Sequence, residues 1–154
     1  MKLIVKRLAV RNFKVFKKLD LTLESEHLVV LDGPNGFGKS SFFDALELLL
    51  TGKIRRYIEL EELTVDRRSL KAGCTWLFKE ANDDDWLSIR AEILVDGVSY
   101  FLERAVSKSV LDEHKGGIDL KLPLYELADF NSERGEAISH EETYLYLARG
   151  AIST

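Results

Sequence analysis

The sequence predicts an α/β fold in which a strand runs into a glycine-rich loop, the loop opens a buried helix, and an antiparallel hairpin follows further along. Three observations carry this. His27-Leu28-Val29-Val30-Leu31 is an apolar run of strand type that ends at Asp32. Gly33 to Ser40 then match G-x-x-x-x-G-K-[ST] at every fixed position, a spacing that chance would place in about one chain of this length in two hundred at average residue frequencies. Asp96-Gly97 sits between Ile93-Leu94-Val95 and Val98-Ser99-Tyr100-Phe101-Leu102, and a tight primed turn needs the positive φ that this dipeptide tolerates.

Each element has a local reason. Leu3, Val5, Leu8 and Val10 with Phe13 and Phe16 predict an N-terminal strand with a bend, and Leu19, Leu21 and Leu23 alternate with polar residues as a second strand. From Lys39 to Thr51 the apolar side chains Phe42, Phe43, Ala45, Leu46, Leu48, Leu49 and Leu50 cover nearly the whole circumference. That marks a helix buried on most sides, with Asp44 and Glu47 as its one polar edge and Gly52 as its stop. Thr75 to Glu80 and Leu87 to Val95 read as strands, Lys115-Gly116-Gly117 as a loop, and Ile118 to Leu127 as a further strand. Asn82-Asp83-Asp84-Asp85 reads as a solvated turn rather than a metal site, because successive side chains point apart. Ser139-His140-Glu141-Glu142 is a capping-box start for a last helix through Ala148.

Composition sets limits. The 154 residues, 45% hydrophobic and 31% charged, suffice for one domain with its own core. The longest apolar stretch, Ala45 to Leu50, is interrupted by Glu47 and is far shorter than a membrane span, and no signal-peptide core follows the basic N-terminus. The expected location is the cytoplasm, with no membrane partner. Cys74 is the only cysteine, which excludes an internal disulfide and a cysteine-based zinc site. The net charge of −4 hides an asymmetry: Lys2, Lys6, Arg7, Arg11, Lys14, Lys17 and Lys18 give the first 18 residues +7 with no acid, so the remainder carries −11. Such a stretch attracts phosphate backbones; lysines that guard a strand edge against aggregation would look the same at Lys2, Lys17 and Lys18.

The glycine-rich loop specifies its own chemistry. Gly36 and Gly38 reach backbone angles closed to other residues and leave room for a polyphosphate, so successive N–H groups turn inward around it. The helix that follows adds its N-terminal N–H groups and dipole. Lys39 reaches the β- and γ-phosphates, Ser40 ligates Mg²⁺, and Ser41 bonds the α-phosphate. The expected cofactors are therefore a nucleoside triphosphate and Mg²⁺. A small GTPase or nucleotide kinase fits poorly, because the chain has no N-K-x-D for guanine and no arginine-rich lid.

Taken together, Arg11-Asn12-Phe13-Lys14-x-Phe16, then Leu28 to Ser41, then Phe43-Asp44-Ala45-Leu46 and Leu50-Thr51-Gly52 resemble the start of the ATPase heads of the SMC, RecF, RecN and SbcC group. The resemblance is close over residues 2 to 56 and looser through the hairpin ending near Arg104. It implies the N-terminal half of an ABC-type ATPase head, with ATP as the triphosphate: a P-loop NTPase fold with a mixed sheet around the buried P-loop helix, plus the antiparallel hairpin. Such heads serve chromosome organisation, DNA repair and, in bacteria, phage defence. The resemblance places Asn12 near the nucleotide, Lys14 near the phosphates and Asn35 toward the facing head. Phe37 departs from the group's usual small residue and is expected to cover the nucleotide or touch a partner. Lys53, Arg55 and Arg56 fall where related heads present basic residues to DNA or to the opposing nucleotide, although a solvated basic loop would read alike. Arg104 falls where a strand-borne arginine is common, or it pairs with Glu103 or Glu92.

In this family the Q-loop glutamine, the signature sequence, the Walker B carboxylates and the switch histidine come later in the chain, most of them beyond a coiled coil. This sequence holds no glutamine and no run of more than two apolar residues closing in Asp-Glu. Residues 1–154 are thus expected to form a single domain, the N-terminal lobe of a split head, ending before the Q-loop and coiled coil. The partners implied are the C-terminal lobe of the same head, a second head in an ATP-dependent dimer, DNA, and a nuclease or other effector subunit. The hydrolytic machinery is expected to lie in that other lobe, with no catalytic residue here. A freestanding module that binds nucleotide without hydrolysing it is the alternative.

Overall fold

The computed structural model describes residues 2–23, 38–55, 81–82, 84–113, 121–139 and 141–152. In chain order these form β1 (Leu3–Phe13), β2 (Phe16–Thr22), α1 (Lys39–Thr51), β3 (Trp86–Val95), β4 (Val98–Ser107), α2 (Lys108–Glu113), β5 (Leu124–Glu126) and α3 (Thr143–Ile152). The five strands make one sheet in the order β2-β1-β3-β4-β5, and every neighbouring pair is antiparallel. A mixed sheet was the expectation; the described strands are antiparallel only, and the strands expected at 27–31 and 75–80 lie outside the described residues.

The bend in β1 has a physical form. Its apolar positions run 3, 5, then 8, 10, then 13, so a period of two must slip twice. The first slip is an irregularity in the pairing with β3 between Val5 and Arg7, and the second is Asn12, whose φ is 53°. Together they bring Leu8, Val10 and Phe13 onto the buried face, each fully inaccessible. On that face they meet Ile89, Ala91 and Leu102 of β3 and β4 and Ala45, Leu48 and Leu49 of α1. Asp96 and Gly97 both have positive φ, 48° and 88°, so the turn between β3 and β4 is of the expected primed kind.

Helix α1 stops at Gly52 as its sequence says: φ is 81° and its N–H bonds the Leu48 carbonyl. Its sides differ from expectation. Asp44 is buried, while Phe43 is 61% exposed. Asp44 tolerates burial because the ammonium of Lys14, from the β1–β2 turn, lies 3.1 Å from its carboxylate.

Two further expectations are corrected. Of the strand expected over 118–127, the described residues form only Leu124–Glu126; Pro123 has no N–H for a ladder, and the Leu122 N–H goes to the Gly52 carbonyl instead. The last helix begins at Thr143, after the Glu142 carbonyl takes the N–H groups of Leu145 and Tyr146, and not at the Ser139 cap. Ser139 is spent on a turn and a bridge: its hydroxyl accepts the Glu141 N–H at 2.8 Å and its backbone pairs with Leu124. The 82–85 segment closes as a turn, with Asp85 N–H on the Asn82 carbonyl and Asn82 N–H on the Asp85 carboxylate. Among the described residues no helix is long and apolar enough to cross a membrane.

Candidate functional site

The mouth of α1 is set by one glycine. Gly38 sits at φ 95° and ψ 10°, and its carbonyl takes the first intrahelical bond, from the Phe42 N–H at 2.8 Å. The N–H groups of Lys39, Ser40 and Ser41 come earlier and have no acceptor within the helix. They and the positive end of the helix dipole face the end from which the glycine-rich loop enters. Lys39 is half-buried, Ser40 exposed and Ser41 buried.

The β1–β2 turn rests on this junction. A Cβ at position 38 would lie 2.9 Å from Phe16 Cζ and 3.0 Å from Val15 Cγ2, so only glycine fits both the angle and the space. Lys14, itself at φ 50°, reaches from the same turn to Asp44, one helical turn beyond Ser40. Asn12 stands apart from the mouth: its Nδ2 donates to the Trp86 carbonyl at 3.0 Å, tying the end of β1 to the start of β3. Its side chain lines a cavity over the sheet. The structure thus brings Lys14, Gly38, Lys39, Ser40 and Ser41 to one end of α1. Gly33, Asn35, Gly36, Phe37 and Arg56 lie outside the described residues.

Lys53 and Arg55 are at the opposite end of the 13-residue helix, about 20 Å away at 1.5 Å of rise per residue. The Thr51 hydroxyl donates to the Lys53 carbonyl at 2.7 Å, and Glu47 accepts the Arg55 N–H at 2.8 Å. Glu47 therefore closes the turn past the helix. The Arg55 side chain is exposed.

Arg104 is the residue whose surroundings the sequence misassigned. Glu103 pairs with Arg90 and Arg134, and Glu92 with Arg7, leaving neither to Arg104. Arg104 is fully buried; Nε donates to the Leu49 carbonyl at 3.1 Å, Nη1 to Leu122 at 2.7 Å, and Nη2 to the Glu141 carbonyl and the Thr143 hydroxyl. The Thr143 hydroxyl in turn donates to the Leu49 carbonyl. One guanidinium thus fastens the C-terminal end of α1 to the chain before β5 and to the start of α3. Burial lowers its pKa to about 10 against the pull of the Glu141 and Glu142 carboxylates, so it stays charged near neutrality. A signal for this was present: with Leu102 and Val106 facing the core, a period of two points 104 inward and 103 outward.

A helix N-terminus that carries a lysine and two serines has the groups suited to a polyphosphate and its metal. A family model described as an AAA domain matches residues 7–119. Two solved structures of the recombination mediator protein RecF in the RecFOR pathway are similar as well. The one described as RecF-ATP is 15% identical, with 87% of this chain and 29% of that chain covered and a TM-score of 0.48. The one described as RecF-ATPrS is 18% identical, with 88% and 28% covered and a TM-score of 0.48. The chain spans less than a third of either RecF chain. The family match covers most of the sequence, and by it the chain belongs to the AAA domain family.

Proposed function

We propose that the chain is the ATP-binding N-terminal lobe of an SMC/SbcC-like ATPase head. The observation that carries this reading is the opening of α1 directly behind the left-handed Gly38, whose carbonyl takes the first intrahelical bond from the Phe42 N–H, at the point where the sequence completes the phosphate-binding pattern. In this reading the amides and the Lys39 ammonium hold the β- and γ-phosphates, and Ser41 holds the α-phosphate. The exposed Ser40 hydroxyl would hold Mg²⁺, which would supply positive charge against the phosphates. Gly33, Asn35, Gly36 and Phe37 complete the cradle. Lys14, paired with Asp44 one helical turn beyond Ser40, in this reading serves the phosphates by holding the β1–β2 turn against α1. The Asn12 bond to Trp86 holds the end of β1 rather than a ligand, and Asn12 serves the nucleotide by fixing the turn that rests on Gly38.

Hydrolysis in this reading belongs to the completed head, in which a C-terminal lobe and a second head supply the groups that position water. The parent then acts in DNA repair, chromosome maintenance or phage defence, in the cytoplasm or on the nucleoid, with a nuclease or other effector subunit. In this reading Lys53 and Arg55, about one helix length from the phosphates, meet DNA together with Arg56. Titration calorimetry tests the binding step. Lys39→Ala is expected to abolish ATP binding, and Ser40→Ala to weaken it only when Mg²⁺ is present. Equal affinity of the native protein and Lys39→Ala would place the nucleotide elsewhere.

A further inference from the structure

The sheet face turned away from α1 carries a charge pattern of its own. Arg7, Ala9 and Arg11 alternate along β1 with the buried Leu8 and Val10, and across the ladder they meet Glu92, Arg90 and Ser88, with Glu103 opposite Arg90. The segment that bears Phe130, Asn131 and Arg134 crosses this face and leaves a cavity of about 590 Å³. That is within the range of small-ligand sites, roughly 300–1,000 Å³.

Every carboxylate in this cluster is shared by two cations. Glu103 lies 3.1 Å from Arg90 and 2.7 Å from Arg134, Glu92 lies 3.3 Å from Arg7 and 4.0 Å from Lys6, and Asp20 lies 2.8 Å from Arg11 and 3.8 Å from Lys18. Of these charged residues, Arg7, Arg11, Arg90 and Arg134 line the cavity with Asp20 and Glu103, four cations against two carboxylates, a surplus of two positive charges. Arg90 is consumed by the fold, since its Nη1 also donates to the Phe130 and Ser132 carbonyls at 3.0 and 2.8 Å.

Arg7 and Arg134 are placed differently. Each guanidinium lies over an aromatic ring, Arg7 at 3.9 Å from the Phe130 centroid and Arg134 at 4.3 Å from the Trp86 centroid. Each meets its carboxylate through Nε, and neither donates an Nη hydrogen bond to another described residue. The Arg7 Nε is itself buried without a hydrogen bond. Stacking fixes the planes of both forks, so little side-chain freedom is left to lose when an anion arrives. Both forks line the cavity, beside the amides of Asn12 and Asn131.

We propose that this cavity is a second anion site, separate from the mouth of α1, which takes the phosphate ester of a nucleotide-sized ligand. A phosphate, as the dianion of a monoester or the monoanion of a diester, offers several oxygens to the two planar forks where a single carboxylate offers two. The ester is either a free mononucleotide or a nucleotide unit of a single strand.

Two probes separate these sources: thymidine 5′-monophosphate by calorimetry, and a fluorescein-labelled 12-nucleotide oligothymidine by anisotropy. Neither carries the β- and γ-phosphates that Lys39 reaches for, so Lys39→Ala should leave their binding unchanged. Arg7→Gln with Arg134→Gln should weaken the bound probe at least tenfold. Because Arg134 also holds the buried Glu103, a second variant leaves every ion pair in place: Thr22→Glu with Asn131→Glu adds negative charge at two exposed positions of the rim, and the same loss is expected with an unchanged melting temperature. Preference for the monophosphate identifies a free nucleotide, and preference for the oligonucleotide identifies a strand. The proposal is overturned if the native protein binds neither probe, if binding survives the rim variant, or if only Lys39→Ala removes it. It is overturned equally if a glutamate-rich peptide binds through these arginines while both probes fail.

Discussion

Replacing Arg104 by methionine should cost about 3 kcal/mol of stability although the residue touches no expected ligand. The side chain is fully buried and makes four hydrogen bonds, to the carbonyls of Leu49, Leu122 and Glu141 and to the Thr143 hydroxyl. Methionine keeps most of the stem and none of the donors. The Leu49 carbonyl keeps the Thr143 hydroxyl, but those of Leu122 and Glu141 lose the guanidinium, at about 1–3 kcal/mol for each buried acceptor left unsatisfied. Removing a buried charge returns part of that, which brings the net to about 3 kcal/mol. For a domain of this size the melting temperature falls by about 2–4 °C per kcal/mol, so a drop of about 6–12 °C is expected in circular-dichroism melts at neutral pH. Arg104→Lys keeps the charge without the planar fork and should fall between. If the methionine variant melts within about 2 °C of the native protein, the guanidinium does not fasten α1 to α3 and this reasoning fails.

Gly38→Ala is expected to lose about 1–2 kcal/mol from the left-handed angle alone. The new methyl, 2.9 Å from the Phe16 ring, should also displace the β1–β2 turn, so ATP affinity should fall with the melting temperature in one titration series. The Tyr146 phenol is raised to about 12 by burial first, then by its hydrogen bond to Glu126 and that carboxylate's charge. The unfolded phenol ionises near the ordinary value of about 10, so its stabilisation is complete below that pH and is lost as pH rises toward about 12. Melts across that window should fall less steeply for Tyr146→Phe than for the native protein, and parallel curves would deny the linkage. Replacing Lys53, Arg55 and Arg56 together by glutamate should weaken DNA binding by the assembled parent on unrelated sequences and flatten its salt dependence. ATP binding should be untouched. An unchanged salt slope in anisotropy titrations would remove DNA from that loop.

Much of the sheet was legible because its signals are local. The apolar positions of β1 announced a bend, which the structure divides into two irregularities, and Asp96-Gly97 and Gly52 each required a positive φ that they adopt. What the sequence hid depends on distant partners. Asp44 looked like a solvent edge because the lysine that neutralises it is 30 residues earlier, on a turn whose direction no local pattern encodes. Ser139 and Thr143 are both fair helix starts, and the choice fell to Thr143 because its hydroxyl finds the Leu49 carbonyl of α1. The arginines of β1 and β3 have the alternation of any solvated sheet face. That a later segment roofs them and encloses a cavity is a tertiary fact.

Where a triphosphate sits is measured most directly by amide NMR of the ¹⁵N-labelled protein titrated with Mg-ATP. The largest shifts are expected at the N–H groups of Gly38, Lys39, Ser40 and Ser41, saturating together and vanishing in Lys39→Ala, with those of Lys53 and Arg55 nearly still. Shifts confined to other parts of the chain, or an unchanged response in Lys39→Ala, would contradict the assignment of the α1 mouth as the nucleotide site.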